Sequence, residues 1–127
     1  MSIARTPGIF GIKIALVLFV CVFFAKPASA GNSELVMFGS QSCVYCQVFN
    51  REVAPGYHKS LYARKAPLKE INIDKHGTGG YALRAGAIAV TPTFVMFKRG
   101  REVARIRGYP GKKNFYRMVN QILRRVK

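Results

Sequence analysis

An unbroken apolar run, Ile14–Ala25, dominates the start of the chain. Arg5 and Lys13 precede it, and the small residues Ala28-Ser29-Ala30 follow it. A positive start, a short apolar stretch and small residues at both recognition positions of a signal peptidase are the layout of a secretory signal peptide. The run is shorter than the roughly 20 residues that a membrane span requires. An uncleaved anchor is the alternative reading. Cleavage after Ala30 leaves residues 31–127, a chain of 97 residues. That length suits one modest core and is too little for two domains.

Beyond the leader the pattern alternates between strand-like and helix-like periods. Glu34–Phe38, "ELVMF", is short, apolar and closed by Gly39, which predicts a buried strand. From Cys43 the apolar positions Val44, Tyr45, Val48 and Phe49 have helical spacing, and Pro55-Gly56 is expected to stop that helix. Tyr57–Lys65 carries a further helical turn or two. Leu68–Asp74 alternates and predicts a second strand. Gly77–Gly80 is a loop that lacks both the spacing and the lysine of a phosphate-binding loop. A small helix is expected over Tyr81–Ala87. Thr93–Lys98 predicts a third strand, Arg99-Gly100 a tight turn, and Glu102–Arg107 a fourth strand with Val103, Arg105 and Arg107 alternating against Ala104 and Ile106. In the last segment Phe115, Val119, Ile122 and Val126 share one face with Arg and Lys opposite, an amphipathic C-terminal helix. No repeat or low-complexity tract interrupts this order. Strand, helix, strand, helix, hairpin, helix specifies an α/β fold: one domain with a mixed sheet of about four strands and helices on both faces. The first helix makes a parallel crossover between the first two strands, and the last two strands pair antiparallel.

The cysteines change the picture from fold to chemistry. Of three, Cys21 leaves with the leader, so the exported chain keeps Cys43 and Cys46. An exported chain meets an oxidising compartment, where such a pair forms a bridge. A bridge over two intervening residues closes a very small loop and is a weak staple. A working pair explains it better. Cys43 falls where the first strand feeds the first helix, and unpaired backbone N–H groups at a helix N-terminus favour a thiolate there. Cys46, one turn on and deeper, is placed to reach the first sulfur.

Charge adds a bias toward anionic partners. Residues 31–127 hold 18 Lys and Arg against 5 Asp and Glu, a net charge of +13, and eleven of the bases lie from Lys98 onward. Such a field steers anions. Export argues against nucleic acid and favours an acidic protein or an anionic membrane surface. The plainer reading is a solvated basic face.

Together these features resemble the thioredoxin fold over nearly all of residues 31–127. The resemblance rests on "CVYC" after an apolar strand, "INID" as the next strand, "VTPTFVMFKRGREVARIRG" and the amphipathic C-terminal helix. It implies a thiol–disulfide oxidoreductase with Cys43 as nucleophile and Cys46 as resolving thiol. It also implies that Pro92 is cis beside the cysteines and keeps metals from them, and that the Thr91 backbone pairs with an extended substrate peptide. Val44 and Tyr45 are the substrate-facing dipeptide. No cofactor or metal is expected. A narrower resemblance, carried by C-x-x-C-x-x-F-x-x-E-V-x-P-x-Y from Cys43 to Tyr57, is to small periplasmic thioredoxin-like proteins tied to sulfur oxidation, which keep a carrier protein's thiol reduced.

The departures are informative. Val44-Tyr45 stands where Gly-Pro is common, Ser42 where cytosolic thioredoxins have tryptophan, and Met37 where they bury an aspartate. With Met37 there, water or a partner group must take the proton from Cys46. His58 and His76 would complete a four-ligand metal set with the cysteines, but they lack fixed ligand spacing. Two readings stand at this point. One is a periplasmic oxidoreductase, expected to be a monomer, that reduces a disulfide-containing and acidic protein partner and is resupplied by a membrane electron donor. The other is a non-catalytic module of the same fold, a metal carrier or a basic adaptor.

Overall fold

The computed structural model describes residues 32–127; the leader expected over residues 1–30 lies outside them. The described residues form four strands: β1 (Ser33–Gly39), β2 (Leu68–Asn72), β3 (Thr93–Lys98) and β4 (Arg101–Arg107). The helices are α1 (Val44–Glu52), α2 (Ala54–His58), α3 (Leu61–Lys65), α4 (Ile73–His76) and α5 (Lys112–Arg125). One mixed sheet runs in the order β2-β1-β3-β4. β1 pairs parallel to β2 and antiparallel to β3, and β3 pairs antiparallel to β4. Among the described residues no helix is long and apolar enough to cross a membrane.

β1 is central, so both of its faces are buried and its apolar run needs no alternation. Leu35 and Met37 face the larger core with Phe49, Val53, Tyr57, Phe94, Met96, Phe115 and Val119. Val36 and Phe38 face a smaller core with Val95 and Phe97, covered by Ile71, Ile73, Tyr81, Leu83 and Ile88. Phe94, Phe49 and Phe115 form an aromatic knot, with ring centroids 4.6–5.0 Å apart, that fastens α1 and α5 to β3.

Four expectations shift. Pro55-Gly56 does not end a helix: α1 ends at Glu52 with Val53 as its C-cap, and Pro55 sits in the first turn of α2, where its missing N–H costs nothing. β2 ends two residues early because the Asn72 side chain accepts from the amides of Asp74 and Lys75 and so starts α4. On α5 the third buried position is Leu123, with Ile122 only half-buried. The fourth departure is the largest. Tyr81–Ala87 forms no helix. The amides of Arg84 and Ala85 donate to Glu102 Oε2, at 2.6 and 3.2 Å, instead of to carbonyls one turn back. Gly80 and Gly86 at φ 85° also leave the helical region. The second face of the sheet is therefore covered by α4 and an irregular segment.

Candidate active site

Cys43 is the N-cap of α1, with extended backbone (φ −81°, ψ 105°). Its Sγ accepts a hydrogen bond from the Cys46 amide at 3.1 Å. The two residues form a disulfide with Cα atoms 5.3 Å apart. No acidic side chain occupies the first turn of α1. A free N–H donor and the positive end of the helix thus act on the Cys43 sulfur without a nearby carboxylate on that turn to oppose them, the setting that favours a thiolate.

The approach to α1 is held by a polar turn. The Cys43 amide donates to the Ser40 carbonyl at 3.2 Å, and Ser40 Oγ donates to Asp74 Oδ2 at 2.6 Å. That bond joins the end of β1 to α4. The site accordingly lies beyond the carboxyl ends of the parallel pair β1 and β2, the usual place for chemistry in α/β sheets.

Cys43 and Cys46 are 9% and 4% exposed, while Val44 and Tyr45 between them are 66% and 64% exposed. Helical geometry turns the sulfurs inward and the dipeptide outward. The Thr91–Pro92 bond is cis. Pairing of Phe38 with Thr93 carries Pro92 to the level of Gly39, at the cysteine end of the sheet. The Pro92 carbonyl accepts from the Gly108 amide at 2.7 Å, and Thr93 Oγ1 donates to the Val90 carbonyl at 2.7 Å, which holds this loop against β4. Among the described residues Val44 and Tyr45, between the two cysteines, are two of the large apolar side chains left exposed, and Val90, just before Thr91 and Pro92, is another.

Behind the pair lies a cleft of about 370 Å³ lined by Met37, Gly39, Ser40, Cys46, Glu70 and His76 among others. Glu70 is held there by Asn50, whose Nδ2 donates to Glu70 Oε2 at 3.1 Å. Sequence reasoning passed over Gly39, Ser40 and Glu70. Their signal is position alone: Gly39 ends β1, Ser40 follows it, and Glu70 lies on β2 opposite Met37. His58 sits on α2, apart from this cleft, and among the described residues no group of three or more His, Cys, Asp or Glu side chains is arranged to hold a metal.

Comparison with known proteins agrees with this geometry. Residues 25–123 match the family profile of the thioredoxin-like domain, and the chain belongs to that family. It is a thioredoxin-like protein with a Cys43–Cys46 dithiol–disulfide pair. No curated protein matches it in sequence. Among solved structures it is similar to the reduced form of the periplasmic thioredoxin SoxS from Paracoccus pantotrophus, at 28% identity and TM-score 0.64, covering 75% of this chain and 99% of that one. Thioredoxins from Malassezia sympodialis (18% identity, TM-score 0.57, 75% of this chain and 81% of that one) and Fasciola hepatica (20%, 0.55, 73% and 83%) share the fold.

Proposed function

We propose that this protein is an exported thiol–disulfide reductase of the periplasm. The observation that carries the reading is Cys43 at the N-cap of α1, its sulfur bonded to Cys46 and its rim open to a partner. Export is supported by the leader-like N-terminus and by the 28% identity to a periplasmic thioredoxin. Its mature form begins at Gly31.

The Cys43 thiolate attacks a disulfide in the partner protein and releases one partner sulfur as a thiolate. Cys46 then attacks Cys43, forms the internal disulfide and releases the second sulfur. The partner gains two electrons and the pair loses two, which a membrane donor restores. Val44, Tyr45 and Pro92 contact the partner, and the Thr91 backbone pairs with its extended chain. The enzyme works as a monomer and needs no metal.

An acidic partner fits the charge. Among the described residues two acids are in ion pairs, Glu34 with Lys69 and Glu102 with Arg105, while Glu52, Glu70 and Asp74 are hydrogen-bonded to neutral side chains, which cancels no charge. The net charge of +13 over residues 31–127 still gives a cationic field that attracts acidic surfaces. A carrier protein of sulfur oxidation is the substrate we favour, on the resemblance of the motif from Cys43 to Tyr57.

Insulin reduction tests the reaction. Cys43→Ser abolishes it and Cys46→Ser accumulates a mixed disulfide; undiminished activity in Cys43→Ser sinks the reading. The reduction potential of the pair tests the direction: about −270 mV marks a reductase, and about −120 mV an oxidant of folding proteins.

A further inference from the structure

Met37 occupies the wall beside Cys46 and offers no proton acceptor, yet Cys46 must lose a proton before its sulfur can attack. The cleft behind the pair is lined by two further titratable side chains, Glu70 and His76. It is walled by α1 through Cys46, Gln47 and Asn50, by β1 through Met37 and Gly39, by β2 through Glu70 and Asn72, and by α4 through His76. Gly39 is the doorway. It lies in ordinary strand backbone, so its missing side chain serves space and not conformation. A Cβ there would stand 3.2 Å from Cys46 Sγ and 3.4 Å from the Met37 methyl. Without it the sulfur borders a cleft wide enough for several waters. The titratable groups lining the cleft are Cys46, Glu70 and His76; Asp74 and Lys75 on α4 are outside the lining, and Asp74 is engaged by Ser40. Asn50 holds one carboxylate oxygen of Glu70 and leaves the other free to accept.

Resting on the thiol-exchange reading, we propose that Glu70 accepts the Cys46 proton through water in this cleft, entering by the opening that Gly39 leaves. In the mixed disulfide the Cys46 thiol gives its proton by way of water to the Glu70 carboxylate. The thiolate attacks Cys43 Sγ, the Cys43–partner S–S bond breaks, and the partner sulfur leaves as a thiolate that is protonated from solvent. Reduction of the internal disulfide runs the same path backward. Transfer through one water is a recognised arrangement for a general base.

The test follows the two steps separately with 5,5′-dithiobis(2-nitrobenzoate). The reduced protein releases one equivalent of thionitrobenzoate when Cys43 attacks the reagent and a second when Cys46 displaces it. In Glu70→Gln the first release keeps the wild-type rate. The second slows about tenfold at neutral pH, below the effect of a directly placed base, and its pH profile moves upward. Glu70→Asp retains most of the rate, and Gly39→Ala slows the second release alone. A Glu70→Gln profile identical to wild type overturns the proposal while leaving thiol exchange intact. So does a profile moved by His76→Gln and not by Glu70→Gln. Failure of the wild type to release a second equivalent overturns the exchange reading and this one with it.

Discussion

Glu102 Oε1 lies 2.6 Å from Arg105 Nε, and the two side chains are only 4% and 6% exposed. A register shift opposite Met96 and Phe97 makes this pair possible. Strict alternation would put residues 102 and 105 on opposite faces. The bulge pushes Val103 outward and brings Glu102 onto the face of Arg105. The carboxylate also accepts from the Arg84 and Ala85 amides, and Arg105 Nη2 donates to the Gly86 carbonyl at 3.1 Å. One buried ion pair thus anchors the irregular segment that leads to Thr91 and Pro92.

Removing one partner leaves the other buried and unpaired. Glu102→Ala is expected to cost about 3 kcal/mol in urea unfolding, because Arg105 keeps its charge and two amides lose their acceptor. Glu102→Leu with Arg105→Met is expected to cost less than the sum of the single changes. Strict additivity would show that the pair is not coupled.

Acid acts on the same group. Burial is the largest single influence on Glu102 and pushes its pKa up, but the Arg105 hydrogen bond, the Ala85 and Arg84 amides and the Arg105 charge together hold the carboxyl below its ordinary 4.5. A depressed folded-state pKa contributes stability that is present above the unfolded value and lost as pH falls through the folded one. Wild-type melting temperature is expected to drop more steeply below about pH 4.5 than that of Glu102→Gln. Parallel curves would remove Glu102 from the acid transition.

Alkali acts through Tyr57. This fully buried phenol donates to the Ala66 carbonyl at 2.8 Å, and burial, followed by Tyr116 and Tyr62, pushes its pKa well above the ordinary 10.0. Its share of stability is therefore present below the unfolded value and lost as pH rises above it. Tyr57→Phe is expected to cost about 1 kcal/mol near neutrality and to flatten the alkaline decline in denaturant midpoint. An unchanged neutral stability would show that the hydrogen bond to Ala66 contributes nothing net.

The proposed partner contact at Val44 and Tyr45 has its own test. Replacing Val44 and Tyr45 together by serine leaves both cysteines and the N-cap in place. If a protein partner covers these side chains as proposed, turnover of a protein disulfide is expected to fall about fivefold through a raised KM, while a small-molecule disulfide reacts as before. Equal losses on both substrates would assign the dipeptide to the reactivity of the thiols instead.

Features that depend on near neighbours can be read directly along the chain. "ELVMF", "TFVMFK", the Arg99-Gly100 turn and the stripe on α5 were legible because apolar period and turn chemistry are local properties. So was the position of Cys43 at a strand-to-helix junction. Features that distant residues supply arise only when the strands and loops come together. Tyr81–Ala87 has helix-forming alanines, yet its amides turn to a carboxylate 17 and 18 residues further on. The bulge that aims that carboxylate comes from how β4 lies on β3, which no period encodes. Glu70 stands near Cys46 only because the crossover lays β2 beside β1 with Glu70 opposite Met37. Local patterns could therefore place the two sulfurs, but the groups gathered behind them come from separate strands and meet only when the sheet is assembled.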